Sequence, residues 1–145
     1  MRAIVRGVSN SYEKALASFF GSGPTDLEEA KAQHSAYVSK LRELGLIVRE
    51  LDSHPDYPDC CFVEDHAIVA GDSALITNAG HDSRLGEKEA VIEALEGDLK
   101  LEYMASGGRM DGGDVFQFGN KFLVGHSSRT NRQGIQNLKD FVEFR

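Results

Sequence analysis

An internal repeat in the second half of the chain constrains its fold more than any other feature. His81-Asp82-Ser83-Arg84 and His126-Ser127-Ser128-Arg129 share the pattern H-x-S-R and lie 45 residues apart. Each copy follows a predicted β-hairpin and precedes a predicted helix. A hairpin–helix–strand unit that recurs at this period is typical of a propeller-like or solenoid array, because each unit exposes an apolar face that only a neighbour can cover.

The rest of the chain fits the same mixed α/β pattern. In the second half, periodicity and turn residues predict strands at 63–69, 74–77, 99–103, 114–118 and 122–124, and helices at 86–96 and 131–144. In the first half they predict strands at 3–8 and 46–51, a helix at 11–20, and a long helix that starts at a Thr25/Glu28 capping box and stops at Gly45. The chain ends where the pattern predicts one more strand, so we expect either a capping last helix or a sequence that stops short of its natural end.

Composition narrows the range of partners. The 145 residues include 16 Lys and Arg against 23 Asp and Glu, a net charge of −7, which argues against nucleic-acid or anionic-membrane partners. No run approaches the roughly 18 apolar residues of a membrane span, and the N-terminus resembles a strand rather than a secretory signal. Because a disulfide between the adjacent Cys60 and Cys61 would be strained, we expect reduced thiols in a cytoplasmic protein.

The densest group of carboxylates lies between residues 58 and 66. If the predicted strand extends through this segment, alternation places Asp59 and Asp65 on one face and Glu64 on the other. A guanidinium or ammonium ligand would satisfy these carboxylates through charge-assisted hydrogen bonds. The alternative is a solvated strand end whose carboxylates pair with lysines and arginines of the same chain.

A second group is Met110-Asp111-Gly112-Gly113-Asp114-Val115. Paired glycines between carboxylates allow the backbone to come close to a ligand or to another element, although an ordinary turn has the same composition. Asp111 and Asp114 have no matching ligand spacing elsewhere in the chain, so we expect no metal. The sequence contains no phosphate- or dinucleotide-binding motif, and we expect no cofactor.

The matched arginines of the repeat are the third feature. Arg84 and Arg129 suit carboxylate recognition because a guanidinium donates two parallel hydrogen bonds, although solvent-facing loop arginines are the alternative. Carboxylates for a cation and arginines for an anion together fit a zwitterionic amino acid with a basic end. Cys60 and Cys61 lack a neighbouring cation that would activate a thiol, and we expect His66 and His126 to be structural.

Five segments of the chain resemble the dimethylarginine dimethylaminohydrolase family, in order and at close to family spacing. They are 3–8, 62–65, 76–84, 110–115 and 128–131, and the resemblance covers essentially all 145 residues. It implies a pentein-like β/α propeller of five ββαβ units, of which residues 1–145 would form one incomplete domain with about three units. It also implies hydrolysis of a guanidinium group by a cysteine nucleophile through a covalent intermediate, without a metal or cofactor.

The resemblance also implies roles for individual residues. Asp111 would be the carboxylate that orients a catalytic histidine. The substrate-binding residues would be Asp65 for the guanidinium, Asp59 and Glu64 in the pocket wall, Arg84 and Arg129 for the substrate's α-carboxylate, and Leu16 on a lid loop that the 21–24 breaker would make flexible.

The chain departs from the family pattern at the reacting groups. The family's histidine and cysteine lie in later units, and neither Cys60, Cys61 nor His126 matches their positions. We therefore expect the N-terminal part of a methylarginine hydrolase that is inactive alone. One alternative is an arginine-binding module or pseudoenzyme that forms a homo-oligomer to cover its exposed apolar surface. Another is a related enzyme that acts on arginine itself.

Overall fold

The computed structural model describes residues 1–16 and 25–143. The chain divides into two compact units, Met1–Val63 and Glu64–Arg145. This division does not test the prediction of one incomplete domain over residues 1–145, which stays a prediction. Within the described ranges, no helix is both long enough and apolar enough to cross a membrane.

The first unit is built on a parallel strand pair. Strands β1 (Arg2–Arg6) and β2 (Ile47–Leu51) pair along their whole length, and helix α1 (Leu27–Glu43) lies between them in sequence, as a parallel pair requires. Val5 of β1 and Val38 of α1 are almost fully buried. Gly45 follows the helix with a φ of +82°, a left-handed conformation that favours glycine, so the predicted helix stop is confirmed.

The predicted start of α1 is wrong by one residue. Asp26, not Thr25, is the N-cap, and its carboxylate accepts the backbone N–H of Glu29 at 3.0 Å. Aspartate is at least as good a cap as threonine, and its negative charge also suits the positive end of the helix dipole. The Thr25/Glu28 capping box is therefore replaced by an Asp26 cap.

The predicted helix at 11–20 is wrong over its described part. Only Tyr12–Lys14 forms a 3₁₀ turn. The Ser9 and Ser11 hydroxyls instead donate to the backbone carbonyls of His54 and Pro55, which ties the segment to a distant loop. The remainder of this prediction, together with the 21–24 breaker, lies outside the described residues.

The second unit contains the predicted repeat. Its elements, in order, are β3 (Ala67–Ala70), β4 (Ser73–Ile76), α2 (Lys88–Leu95), β5 (Lys100–Tyr103), β6 (Val115–Phe118), β7 (Lys121–Val124) and α3 (Arg132–Glu143). Strands β3 and β4 are antiparallel and β5 adds in parallel to β4, which makes one ββαβ unit. The antiparallel β6–β7 hairpin followed by α3 repeats its first three elements. The mixed α/β architecture is confirmed, and closure of such units into a propeller stays a prediction.

One strand of this unit starts later than predicted. Residues Val63–His66 form a 3₁₀ turn, and β3 begins only at Ala67. The Thr77 hydroxyl donates to the backbone carbonyl of Asp65 at 2.6 Å, which holds the turn against the end of β4. The alternation that was expected to place Asp59 and Asp65 on one strand face therefore does not apply.

The core of the second unit joins the two repeats. It consists of buried side chains from β3, β4, α3 and the intervening loops: Ile68, Ala70, Leu75, Met104, Met110, Leu138 and Phe141. Val115, Phe122 and Val124 of the hairpin pack against it, whereas Phe116, Phe118 and Leu123 on the other face are exposed. Because both repeats pack on one core, the loops that follow their hairpins are held in fixed positions.

Candidate functional site

Three segments of the second unit carry three of the seven predicted site residues, Arg84, Asp111 and Arg129: 78–84, 109–114 and 127–131. Backbone hydrogen bonds join them, from Met110 to Asn78 at 2.8 Å and from Asn131 to Arg109 at 3.0 Å. A Cβ at Gly80 would overlap the backbone of Arg129, so only glycine allows the segments that carry the two H-x-S-R copies to pack this closely. The repeated motif therefore belongs to one local structure.

Asp111, in the 109–114 segment, contacts both of the other segments. Its carboxylate accepts the backbone N–H of Gly80 at 2.7 Å and a hydrogen bond from Nη1 of Arg129 at 3.2 Å. Its own N–H donates to the hydroxyl of the fully buried Thr130, and Asp111 itself is only 8% exposed. A carboxylate fixed in this way is suited to orient a hydrogen-bond donor such as an imidazole, and that role stays a prediction.

Asp65 and Arg84 form the other acid–arginine pair. Nη1 of Arg84 donates to Oδ2 of Asp65 at 2.6 Å, and the N–H of Gly113 donates to Oδ1 at 2.8 Å. Arg84 is 3% exposed, so the alternative of a solvent-facing loop arginine is wrong for this residue. Burial would lower the pKa of Arg84, but hydrogen bonds and charges from Glu87 and Asp65 outweigh burial and raise that pKa above its ordinary value.

Glu87 and His66 complete this cluster, and Glu87 was not among the predicted site residues. Oε2 of Glu87 accepts from Nε and Nη2 of Arg84 at 3.0 and 2.9 Å, and lies 2.9 Å from Nε2 of His66. Burial would raise the pKa of Glu87, but the hydrogen bonds from His66 and Arg84, with the Arg84 charge, lower it below its ordinary value. The Arg-x-x-Glu spacing within the 3₁₀ helix Asp82–Glu87 was the available signal.

Glu64 precedes Asp65 in the sequence. Unlike the buried Arg84 and Glu87, Glu64 is exposed to solvent. The surrounding protein nevertheless removes enough water from its carboxyl group to raise its pKa, and the charge of Asp65 raises the pKa further, against a backbone hydrogen bond and the charges of Arg84 and His66. Glu64 is therefore a carboxyl group that remains accessible to a ligand.

Arg129 is the more accessible of the two predicted arginines. Its side chain is 24% exposed, against 4% for Arg84. His126, which begins the same motif copy, is exposed. Across residues 1–16 and 25–143, no three His, Cys, Asp or Glu side chains converge in a group that could hold a metal ion.

The first unit contains the remaining predicted site residues. Asp59 is 5% exposed, and its carboxylate oxygens lie 3.0 and 3.3 Å from the backbone nitrogen of Leu16, whose N–H donates to them. Burial raises the pKa of Tyr12, as do the nearby charges of Cys61 and Asp59. Neither of these two cysteines is in a disulfide; Cys60 is fully buried, with Sγ 3.8 Å from the carbonyl oxygen of Gly7, whereas Cys61 is only partly buried.

Comparison with known proteins identifies the family of the chain. The family model described as "N,N dimethylarginine dimethylhydrolase, eukaryotic" matches residues 8–145. The chain belongs to this family. The N(G),N(G)-dimethylarginine dimethylaminohydrolase of Streptomyces coelicolor is 35% identical over 143 residues, which cover 98% of this chain and 55% of that protein. The family resemblance that the sequence motifs indicated is thus confirmed.

Solved structures of dimethylarginine dimethylaminohydrolase have the same fold. A mutant of the Pseudomonas aeruginosa enzyme complexed with citrulline superimposes with a TM-score of 0.94 at 30% identity, covering 99% of this chain and 57% of that one. The N-terminal domain of a cyanobacterial arginine dihydrolase superimposes with a TM-score of 0.83 at 14% identity over 97% of this chain and 54% of that one, which shows a shared fold alone. The chain spans about half the length of the curated family members it matches.

Proposed function

We propose that this chain supplies substrate-recognition residues and the orienting carboxylate of a hydrolase that converts dimethylarginine to citrulline and an amine. The observation that carries the proposal is the convergence of two acid–arginine pairs, Asp65–Arg84 and Asp111–Arg129, on the 111–113 loop. A substrate with a cationic guanidinium at one end and an α-carboxylate at the other is complementary to two acid–arginine pairs of this kind.

Within this proposal the residues bind different parts of the substrate. Asp65 accepts hydrogen bonds from the substrate guanidinium, and the accessible carboxyl of Glu64 lines the pocket beside it. Arg129, whose side chain is partly exposed, binds the α-carboxylate, and Arg84 is its partner in that role. The corresponding roles of Asp59 in the pocket wall and Leu16 on a lid rest on the family resemblance, and the hydrogen bond between them supports a shared function.

The proposed reaction needs groups beyond these residues. A cysteine thiolate attacks the guanidinium carbon, dimethylamine leaves with a proton, and water hydrolyses the resulting thiouronium to citrulline. Asp111 would hold the histidine that transfers those protons. We propose that the cysteine and histidine lie outside these 145 residues and that this chain alone is inactive; the full burial of Cys60 supports this for one of its two thiols.

A second candidate is an arginine-binding module without turnover. The exposed outer face of the β6–β7 hairpin, with Phe116 and Phe118 at 61% and 71% exposure, favours it, because an apolar face of this kind suits association with another copy. Both candidates predict binding of arginine-like ligands. They differ in whether the chain releases an amine from its ligand when the missing cysteine and histidine are supplied, which is here called the completed assembly.

Calorimetric titration of the full chain with dimethylarginine tests the recognition step. We expect binding that Asp65→Asn weakens by about tenfold or more, because the amide lacks the charge that attracts a guanidinium. The matched control is Asp82→Asn, an exposed aspartate whose side chain is 75% accessible. Equal affinities for Asp65→Asn and wild type would contradict the assignment.

Mass spectrometry of the same mixtures tests turnover. We expect no citrulline or dimethylamine from the chain alone. Citrulline formation that disappears in a Cys61→Ala variant would overturn the proposal that the nucleophile lies elsewhere. Ammonia release from arginine by a completed assembly, without dimethylamine release from dimethylarginine, would favour the arginine-specific alternative.

A further inference from the structure

We propose that Glu87 is a positioning residue that keeps the Asp65 carboxylate available as a net negative charge for a guanidinium ligand. The inference rests on the proposed function of Asp65 and extends it to a residue that does not touch the ligand. Glu87 acts through Arg84, which it holds from the side opposite Asp65.

Glu87 anchors the Arg84 side chain through two hydrogen bonds. Its Oε2 atom receives two hydrogen bonds from Arg84, from Nε and Nη2, at 3.0 and 2.9 Å. Arg84 then donates from Nη1 to Asp65 at 2.6 Å. The side chains of Glu87 and Arg84 are 1% and 4% exposed, so water does not screen their pairing as it would at the surface.

His66 also helps to fix the Glu87 carboxylate. Because Oε2 of an ionised Glu87 is an acceptor, Nε2 of His66 is the donor at this 2.9 Å contact. Three donor atoms, two on Arg84 and one on His66, therefore contact Oε2 and hold the Glu87 side chain in place.

The charges of Arg84, Glu87 and Asp65 sum to −1. Arg84 contributes one positive charge, and Glu87 and Asp65 each contribute one negative charge. A ligand guanidinium at Asp65 would bring the sum to zero. Without the Glu87 charge, Arg84 would already neutralise Asp65, and the preference of the site for a cation over a neutral ligand would fall.

Two probes with the same amino-acid stem and different terminal groups test this inference: dimethylarginine, whose guanidinium is cationic, and citrulline, whose ureido group is neutral and lacks the two methyl groups. Because each variant is compared with the wild type, the difference in shape between the probes cancels. The readout is the ratio of their dissociation constants for the full chain, measured by calorimetry. We expect Glu87→Gln to reduce the preference for the cation by about tenfold or more. The matched control, Glu89→Gln, removes an exposed carboxylate two residues away and should leave the ratio unchanged. If Glu87 had a merely structural role, Glu87→Gln would weaken the binding of both ligands by the same factor.

Two further variants keep the test decisive if Glu87→Gln does not fold. Glu87→Asp retains the charge and should keep the wild-type ratio within about threefold. The double variant Arg84→Gln/Glu87→Gln removes both charges and should restore the preference for the cation, even though both ligands bind more weakly. An unchanged ratio in Glu87→Gln, or a lost preference in the double variant, overturns the inference. A wild-type chain that binds neither ligand instead overturns the proposed function.

Discussion

Arg129 and Asp111 form an ion pair, with 3.2 Å between Nη1 and Oδ2, that joins the loop after β7 to the loop before β6. The same carboxylate accepts the backbone N–H of Gly80, in the loop after β4. One side chain thus holds the loops of both repeats, and the residue predicted to orient a catalytic group is also a structural link between them. The side chain of Asp111 is 11% exposed and that of Arg129 is 24% exposed, so this ion pair is intermediate between a surface pair and a buried one.

Asp111→Asn is therefore expected to destabilise the second unit. The amide retains an acceptor for Gly80 but loses the charge that pairs with Arg129, so we expect the free energy of unfolding to fall by about 1–2 kcal/mol. Urea unfolding followed by circular dichroism measures the change. Asp82→Asn, which breaks an exposed pair with Arg109, should cost less than about 0.5 kcal/mol. Equal losses in the two variants would contradict a linking role for Asp111.

The elements of the fold could be predicted because their signals are local. The repeat, its hairpins and its helices follow from periodicity and from turn glycines such as Gly71 and Gly119, both of which have positive φ. The matched motif copies also indicated that Arg84 and Arg129 follow the two hairpins, and both residues lie there, after β4 and after β7. These signals do not depend on which distant residue each loop contacts.

The details of the site could not be predicted because they depend on tertiary contacts. Residues 63–66 read as a strand by composition, but the hydrogen bonds of Asp65 to Thr77 and Gly113 favour a 3₁₀ turn. The pairing of Arg84 with Glu87 was missed because charged residues are usually solvated, and only the fold shows that these two are buried together. Local propensity does not contain this information.

Gly112 is predicted to be essential for the contact between the 111–113 loop and the turn that carries Asp65. A Cβ at Gly112 would overlap the carbonyl oxygen of Glu64, which belongs to the backbone and cannot rotate away. We expect Gly112→Ala to lower the free energy of unfolding by about 2 kcal/mol or more. The matched control is Gly125→Ala, whose Cβ would lie at an ordinary 3.6 Å from Asp114. Thermal unfolding should separate the two variants, and similar midpoints would contradict the close approach.

The revised cap of α1 makes a prediction for the first unit. Asp26→Ala removes the acceptor for the N–H of Glu29 and should destabilise the helix by about 1 kcal/mol. Thr25→Ala, one residue earlier, should have an effect below about 0.5 kcal/mol. Helix content and urea midpoints from circular dichroism give the comparison. A larger loss of stability in Thr25→Ala than in Asp26→Ala would indicate that the helix starts at the Thr25/Glu28 capping box rather than at Asp26.

Glu64 makes stability depend on pH. Desolvation raises its pKa above the ordinary 4.5, so the native chain keeps this proton to a higher pH than the unfolded chain does. Its contribution to stability is then full below about pH 4.5 and is lost as pH rises through the folded pKa. Glu64→Gln, which cannot ionise, should therefore raise the urea midpoint at about pH 7 but not at about pH 4. Because the residue is exposed, the gain should be small.

The control is Glu93→Gln, which removes an exposed carboxyl on α2. A gain at about pH 4, or an equal gain in Glu93→Gln, would show that desolvation of Glu64 is not the cause.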